Sequence, residues 1–261
     1  MSVTTGLSAD QVQQFQLDGY TLLEGLFTPD ECDHIADLIE QARFELMLGE
    51  PADGQLSYRP MLHLANPDLQ QVCCDPRWSR VVGTLLGPNA RLYWEQCVTK
   101  PPEARTELPW HQDNGYTPIH PEHYLTCWLA LDDADEANGC LWVVPGSHHL
   151  GAVTHRNGDG PFRVALAPDD PRAAGAVPVP VPRGSVLCFS SLVLHRSGPN
   201  ISGRQRRAWI IQYCDAAAAS GLSGRPLDDR LRVSVDGEWL AEPYRDRDFD
   251  LLSVLANYDQ R

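Results

Sequence analysis

The sequence contains no run of about 18 or more consecutive apolar residues, so no stretch of it reads as a membrane-spanning helix. Positive charge is scarce. Against 35 acidic residues there are 21 lysines and arginines, leaving a net charge of −14. That argues against nucleic acid or an anionic membrane surface as the main partner, because both reward clustered Lys and Arg. A Cys-x-x-Cys pair is also missing. The eight cysteines, Cys32, Cys73, Cys74, Cys97, Cys127, Cys140, Cys188 and Cys214, are scattered, and several lie inside apolar runs, as Cys127 does in Thr126-Cys127-Trp128-Leu129. They read as buried, reduced thiols behaving as small hydrophobes, not as a disulfide framework or a zinc site. Met1 to Thr5 lacks a basic segment leading into an apolar one, and the expected location is the cytoplasm. Internal repeats and low-complexity tracts are absent.

What is present is an ordinary globular composition, 43% hydrophobic and 21% charged over 261 residues, enough for one domain with decorations. Residues 1–89 read as mainly helical. Ser8-Ala9-Asp10-Gln11 has the form of a capping box, and Gly19-Tyr20 closes the helix it opens before a short strand at Thr21 to Leu23. Thr28-Pro29-Asp30-Glu31 starts a second helix, with Cys32, Ile35, Ile39 and Ala42 on one face, expected to run to about Leu48 and then a surface loop at Gly49 to Gly54. Asp75-Pro76-Arg77-Trp78 opens a third. From Ala90 the pattern becomes short aromatic and β-branched runs between Pro/Gly-rich turns: Arg91 to Val98, Tyr124 to Leu131, Cys140 to Val144, Gly184 to Phe189, Ser191 to Leu194 and Ala208 to Tyr213. Such runs indicate a sandwich or barrel, with the preceding helices outside one sheet. The weakly periodic stretch 153–181 reads as a lid or insertion, and 216–261 as a wrapping extension.

The chemistry gathers in two stretches. In Trp110-His111-Gln112-Asp113-Asn114-Gly115-Tyr116, positions 111 and 113 leave an extended backbone on one face. Trp110 and Tyr116 could wall a dry pocket around them. In Leu194-His195-Arg196-Ser197-Gly198-Pro199-Asn200, a further histidine ends an apolar run. Two imidazoles and one carboxylate on one side of a metal form the facial triad with open positions that suits non-haem Fe(II) oxygen chemistry. Ser197 shares the face of His195, and Arg206 alternates in phase with Ala208 and Ile210, whereas Arg204 and Arg207 fit the turn or the outer face. A guanidinium is the natural clamp for a carboxylate. A small dicarboxylate could therefore chelate iron through a keto-acid end while an arginine and a serine grip its far carboxylate. His120, His123, His148 and His149 sit in turns and are not assigned to metal.

The helix pair, His111-Gln112-Asp113, the run Asn138-Gly139-Cys140-Leu141-Trp142-Val143-Val144-Pro145-Gly146-Ser147-His148 and His195-Arg196-Ser197-Gly198-Pro199-Asn200 together resemble the phytanoyl-CoA dioxygenase (PhyH) family of iron(II)/2-oxoglutarate-dependent oxygenases, from about Leu7 to Cys214. The resemblance implies a mainly β fold with flanking helices: a double-stranded β-helix (jelly-roll, cupin-like) core over 90–215, with the N-terminal helices packed outside one sheet. It implies His111, Asp113 and His195 as iron ligands, Arg206 and Ser197 on the 2-oxoglutarate carboxylate, Trp128 beside the cosubstrate, and Gln96 as a further cosubstrate residue. Tyr58, Arg59, Met61 and His63 fall where family members line the substrate pocket, and Tyr116 is grouped with them. The implied cofactors are Fe(II), 2-oxoglutarate and O2, and the implied reaction is oxidation of a small metabolite, coupled to release of succinate and CO2. Related halogenases carry a small residue in place of the carboxylate, so Asp113 favours hydroxylation, desaturation, epoxidation or ring formation. Two other readings stay open from the residues: a non-oxidative metal-dependent jelly-roll enzyme (isomerase or hydrolase) and a non-catalytic small-molecule binding module. The expected partner is a small molecule, not an acyl-CoA, since no basic patch for its phosphates is evident; the expected assembly is a monomer or homodimer.

Overall fold

A computed structural model describes residues 7–42, 55–157 and 164–249. α1 (Ala9–Asp18) starts on a reciprocal cap in which Ser8 Oγ accepts from Gln11 N while Ser8 N donates to Gln11 Oε1, and it stops at Gly19 in the left-handed region, φ 82°. β1 (Tyr20–Leu23) follows directly. α2 (Pro29–Gln41) repeats the cap with Thr28 and Glu31 and buries Cys32, Ile35, Ala36, Leu38 and Ile39. It ends before the expected Leu48, because Ala42 has already turned extended (φ −70°, ψ 99°). The remainder of that expectation, and the loop at Gly49 to Gly54, lie outside the described residues. β2 (Ser57–Pro60), α3 (Pro67–Cys73, capped by Asn66) and α4 (Arg77–Leu85) complete this part. The sequence pattern had shown neither β2 nor α3, since such short elements carry too few periods to stand out.

The strands then come in quick succession. β3 (Ala90–Lys100) and β4 (Leu108–His111) precede a one-turn helix, α5 (Asp113–Tyr116). After it run β5 (Ile119–His120), β6 (Tyr124–Ala130), β7 (Leu141–Val143), β8 (Arg156–Asn157), β9 (Val164–Ala165) and β10 (Val177–Val179). β11 (Val186–Ser190), β12 (His195–Ser197) and β13 (Arg206–Asp215) close the core, and β14 (Ala219–Ser220), β15 (Leu231–Val235) and β16 (Glu238–Tyr244) belong to the tail. An 8-stranded antiparallel sheet has the order β1-β11-β6-β13-β3-β15-β16, with β2 also on β3, and a 4-stranded one has the order β10-β7-β12-β4. This is the double-stranded β-helix with helices against one sheet.

Strand alternation decides what each face of the large sheet does. Cys97, Cys127, Leu129, Cys188, Trp209, Ile211 and Tyr213 face outward and pack with Phe27, Ile35, Ile39, Trp78 and Val82 of the helical layer. Val98, Trp128, Leu187, Phe189, Ala208 and Ile210 face inward against Leu141, Val143 and Val179 of the small sheet. Each large apolar side chain so buried stabilises the fold by roughly 1.5–3 kcal/mol. One expected strand is misplaced. Ser191 to Leu194 is a turn, in which Val193 N donates to Ser190 O (2.9 Å) and Leu192 N to Ser190 Oγ (3.3 Å), and the strand begins at His195. The 153–181 stretch is partly built into the fold, because β10 pairs with β7. The tail likewise adds β15 to the edge of β3. Among the described residues no helix is long and apolar enough to cross a membrane.

Candidate metal centre

β4 and β12 are neighbours in the small sheet, and their register sets His195 directly opposite His111, with ring centroids 4.2 Å apart. Gln112 continues the extended backbone (φ −106°, ψ 141°), and Asp113 opens α5. The carboxylate is therefore presented by a helical turn instead of a second extended position. It still converges. Asp113 Oδ1 lies 3.6 Å from His111 Nε2 and 3.4 Å from His195 Nε2, and the ligand atoms of the group all fall within 4.8 Å of one another.

The surroundings prepare this donor set. His111 Nδ1 lies 2.7 Å from Pro109 O and His195 Nδ1 lies 3.0 Å from Val193 O. A carbonyl can only accept, so each Nδ1 carries the proton and each Nε2 offers a lone pair to the shared point. Asp113 Oδ2 accepts from Thr126 Oγ1 (2.7 Å) and Gln212 Nε2 (3.0 Å), which leaves Oδ1 for the same point. Burial acts to raise the Asp113 carboxyl, but the charge that His195 and His111 carry when protonated, with their bonds to the carboxylate, outweighs it and holds the group well below the usual carboxylate range in the metal-free site; the two hydrogen bonds to Oδ2 act in the same direction. Burial, and then the neighbouring His195, push His111 down. Neutral imidazoles beside an ionised carboxylate are what a divalent cation binds.

Deeper between the sheets stands a second, anion-seeking group. Arg206 is 1% exposed, yet its Nε and Nη2 have no hydrogen-bond partner, and neither has the buried Ser197 Oγ. The Trp128 ring lies 5.5 Å from the Arg206 guanidinium. A buried guanidinium with unsatisfied donors is costly unless an anion completes it. Gln96, on the same face of β3, accepts from Tyr58 Oη (2.6 Å) and Trp94 Nε1 (2.8 Å) through its carbonyl oxygen, which fixes the amide orientation. Tyr116 sets its ring edge-on to His111, 5.2 Å between centroids.

Some sequence candidates do not join this group. Arg59 is one residue from Tyr58 and so on the other face of β2, where Nη1 donates to Ile39 O and Glu40 Oε2 (3.3 and 3.2 Å). His63 is buried against the carboxylate of Glu95, with its backbone N and Nδ1 2.9 and 3.1 Å from Oε1, while Trp209 Nε1 donates to Oε2 on the helical side of the sheet. Trp110 points away from the metal ligands, packing by Val144, Leu166 and Leu194 and stacking on Arg196. Other residues were missed. Thr126 and Gln212 could have been suspected as polar residues at inward positions of otherwise apolar strands. His155, whose Nε2 accepts from Gln112 N (2.9 Å), carried no signal, because the contact joins residues 43 apart and lands in the weakly periodic 153–181 stretch.

Comparison with known proteins agrees with the geometry. The family model for phytanoyl-CoA dioxygenase (PhyH) matches residues 15–208. The chain is 30% identical over 250 residues to a probable alpha-ketoglutarate-dependent hypophosphite dioxygenase of Stutzerimonas stutzeri, covering 88% of this chain and 86% of that protein. It is 26% identical to phytanoyl-CoA dioxygenase domain-containing protein 1 of Mus musculus, over 85% of this chain and 94% of the other. The fold is shared with EvdO2 from Micromonospora carbonacea var. aurantiaca, solved with 2-oxoglutarate, at a TM-score of 0.69 and 21% identity, covering 87% and 98% of the two chains. By fold, by site and by the match over most of its length, the chain belongs to the phytanoyl-CoA dioxygenase family.

Proposed function

We propose that this iron(II)- and 2-oxoglutarate-dependent dioxygenase hydroxylates a C–H bond of a small metabolite. Iron with bound 2-oxoglutarate supplies oxidative decarboxylation to succinate and CO2, coupled to C–H oxidation by O2. The observation that carries the reading is the pairing of the His111–Asp113–His195 cluster with an unsatisfied, buried Arg206 and Ser197 in one barrel. A metal-dependent isomerase or hydrolase has no cosubstrate carboxylate to set against that arginine, and a binding module has no need of the triad.

The chain's own contributions follow from the geometry. His111 and His195 bring lone pairs locked by Pro109 O and Val193 O, and Asp113 brings a carboxylate oriented by Thr126 and Gln212. Arg206 and Ser197, whose buried donors are unsatisfied, would hold the distal carboxylate. Trp128, Phe189 and Ile210 keep that end dry, which strengthens each charge-assisted bond there. Gln96, held by Tyr58 Oη, is assigned to the cosubstrate side, and Tyr116 and Tyr58 are the residues we assign to the substrate pocket. Asp113 occupies the position that a halide would need, so oxygen insertion is preferred to halogenation. We place the protein in the cytoplasm as a monomer or homodimer; every cysteine is free, in keeping with a reducing compartment.

The test is aerobic turnover with Fe(II), 2-oxoglutarate and a panel of small metabolites. The reading expects succinate to form at a rate that rises with the true substrate, whose mass gains one oxygen atom. Substrate conversion that persists without O2 would contradict it.

A further inference from the structure

We propose that His63 and Glu95 are a positioning pair for the substrate pocket, acting from the helical side of the large sheet through Met61 and Trp94. The proposal rests on the dioxygenase reading and adds to it what holds the pocket wall in place. β2 leaves the edge of β3 at the Pro60–Gln96 pair, and the chain turns sharply there. Met61 lies in the left-handed region (φ 56°, ψ 34°) before a short 3-10 turn, Leu62–Leu64. A non-glycine residue keeps that strained backbone only where its surroundings over-determine it. Glu95 supplies the restraint. Its main-chain oxygen accepts from Met61 N (2.8 Å). Its Oε1 accepts from His63 N (2.9 Å) and lies 3.1 Å from His63 Nδ1. Two residues of the turn are thus tied to one residue of β3.

The turn links the two sides of the sheet. Met61 packs with Tyr93, Trp94, Ile119 and Tyr124, whereas Leu62 belongs to the core beneath the helices. Trp94 carries the effect of Met61 to the site. It is registered against Gln212, which donates to Asp113, and its Nε1 donates to the Gln96 oxygen that Tyr58 Oη also holds. The indole therefore stands between a residue that steadies a metal ligand and one assigned to the substrate pocket. Glu95 is 0% exposed. Among the described residues its carboxylate pairs with no lysine or arginine, only with His63 and the Trp209 indole. Apolar side chains of similar volume would stabilise a plain joint about as well. What the pair adds is direction, since its hydrogen bonds admit a narrow range of placements for the turn.

The competing role for the pair is purely structural, and breaking it separates the two. His63→Leu removes the imidazole. His63→Leu combined with Glu95→Gln also removes the buried charge while keeping an acceptor for Trp209 Nε1, and carries the test if the single variant does not fold. His63→Asn, which can present a donor where Nδ1 stood, is the rescue. Met61 is one of three methionines. A methyl-labelled methionine NMR spectrum of protein loaded with Zn(II) and 2-oxoglutarate reports its ring-current shift, assigned by its loss in Met61→Leu. In aerobic turnover with Fe(II), the panel metabolite that raises succinate formation gives a ratio of oxidised product to succinate. The pair-breaking variants are expected to move the Met61 methyl signal toward that of free methionine and to lower the ratio about tenfold. Titration of the anaerobic Fe(II) protein with 2-oxoglutarate should be unchanged, and His63→Asn should restore both signal and ratio. A methyl signal that stays in place, an unchanged ratio, or 2-oxoglutarate binding weakened along with the ratio overturns the proposal. Wild-type protein that forms no succinate with any metabolite overturns the dioxygenase reading, and the methyl signal then decides the pair by itself.

Discussion

At the scale of single residues, the site depends on protons being held in the right places. Pro109 O and Val193 O fix the histidine tautomers, and Thr126 with Gln212 takes one oxygen of Asp113 and leaves the other for metal. Groups that orient metal ligands typically contribute 10–100-fold to affinity, roughly. Thr126→Val, nearly the same in shape, should therefore weaken Fe(II) binding on about that scale in a competitive metal titration while circular dichroism stays unchanged; undiminished affinity would show that Thr126 does not orient Asp113. His111, Asp113 and His195 were legible through their surroundings and the family resemblance, because a His-x-Asp spacing is common by itself. Thr126 was not, since a threonine in a strand is ordinary until its partner is known. Arg59 and His63 were grouped with Tyr58 by the family resemblance, and strand alternation separated Arg59 from it by a single position.

At the scale of elements, the two sheets divide the work. The small sheet carries His111 and His195 on paired strands, while the large one carries Arg206, Lys100, Gln96 and Trp128 on its inner face. The strands were readable from alternation and composition, but the boundary at β12 was not: the apolar Leu192-Val193-Leu194 mimics a strand, whereas it forms a buried turn that delivers His195. The junction between metal loop and 153–181 segment was equally hidden. Gln112 Nε2 donates to Gly151 O and Leu192 O (2.9 and 2.7 Å), its Oε1 accepts from Val153 N (2.8 Å), and its backbone N donates to His155 Nε2. Gly115 leaves room for that imidazole, since a Cβ there would lie 2.5 Å from His155 Cε1. Alanine in a helix ordinarily stabilises relative to glycine by roughly 0.5–1 kcal/mol. Gly115→Ala should do the reverse, displacing His155 and leaving the buried Gln112 N–H without its acceptor, at about 1–3 kcal/mol. Urea unfolding measures the sign, and a stabilised variant would show that the His155 contact contributes nothing.

At the scale of the whole molecule, a chain with a net charge of −14 keeps buried arginine and lysine beside each other at its centre. The surface excess of acid says nothing of this, and composition alone pointed only away from nucleic acid and membranes. The barrel concentrates what the composition dilutes: it holds two imidazoles and a carboxylate for a cation, and a buried guanidinium with a hydroxyl for a carboxylate. That pairing is the central claim, and its most direct test is addition of Fe(II) and then 2-oxoglutarate to metal-free protein without oxygen, followed in the visible. A weak metal-to-ligand charge-transfer band should appear with wild type and vanish, at the same concentrations, in Arg206→Met with iron still bound. Iron bound with no band in wild type, or a band undiminished in the variant, would contradict the account.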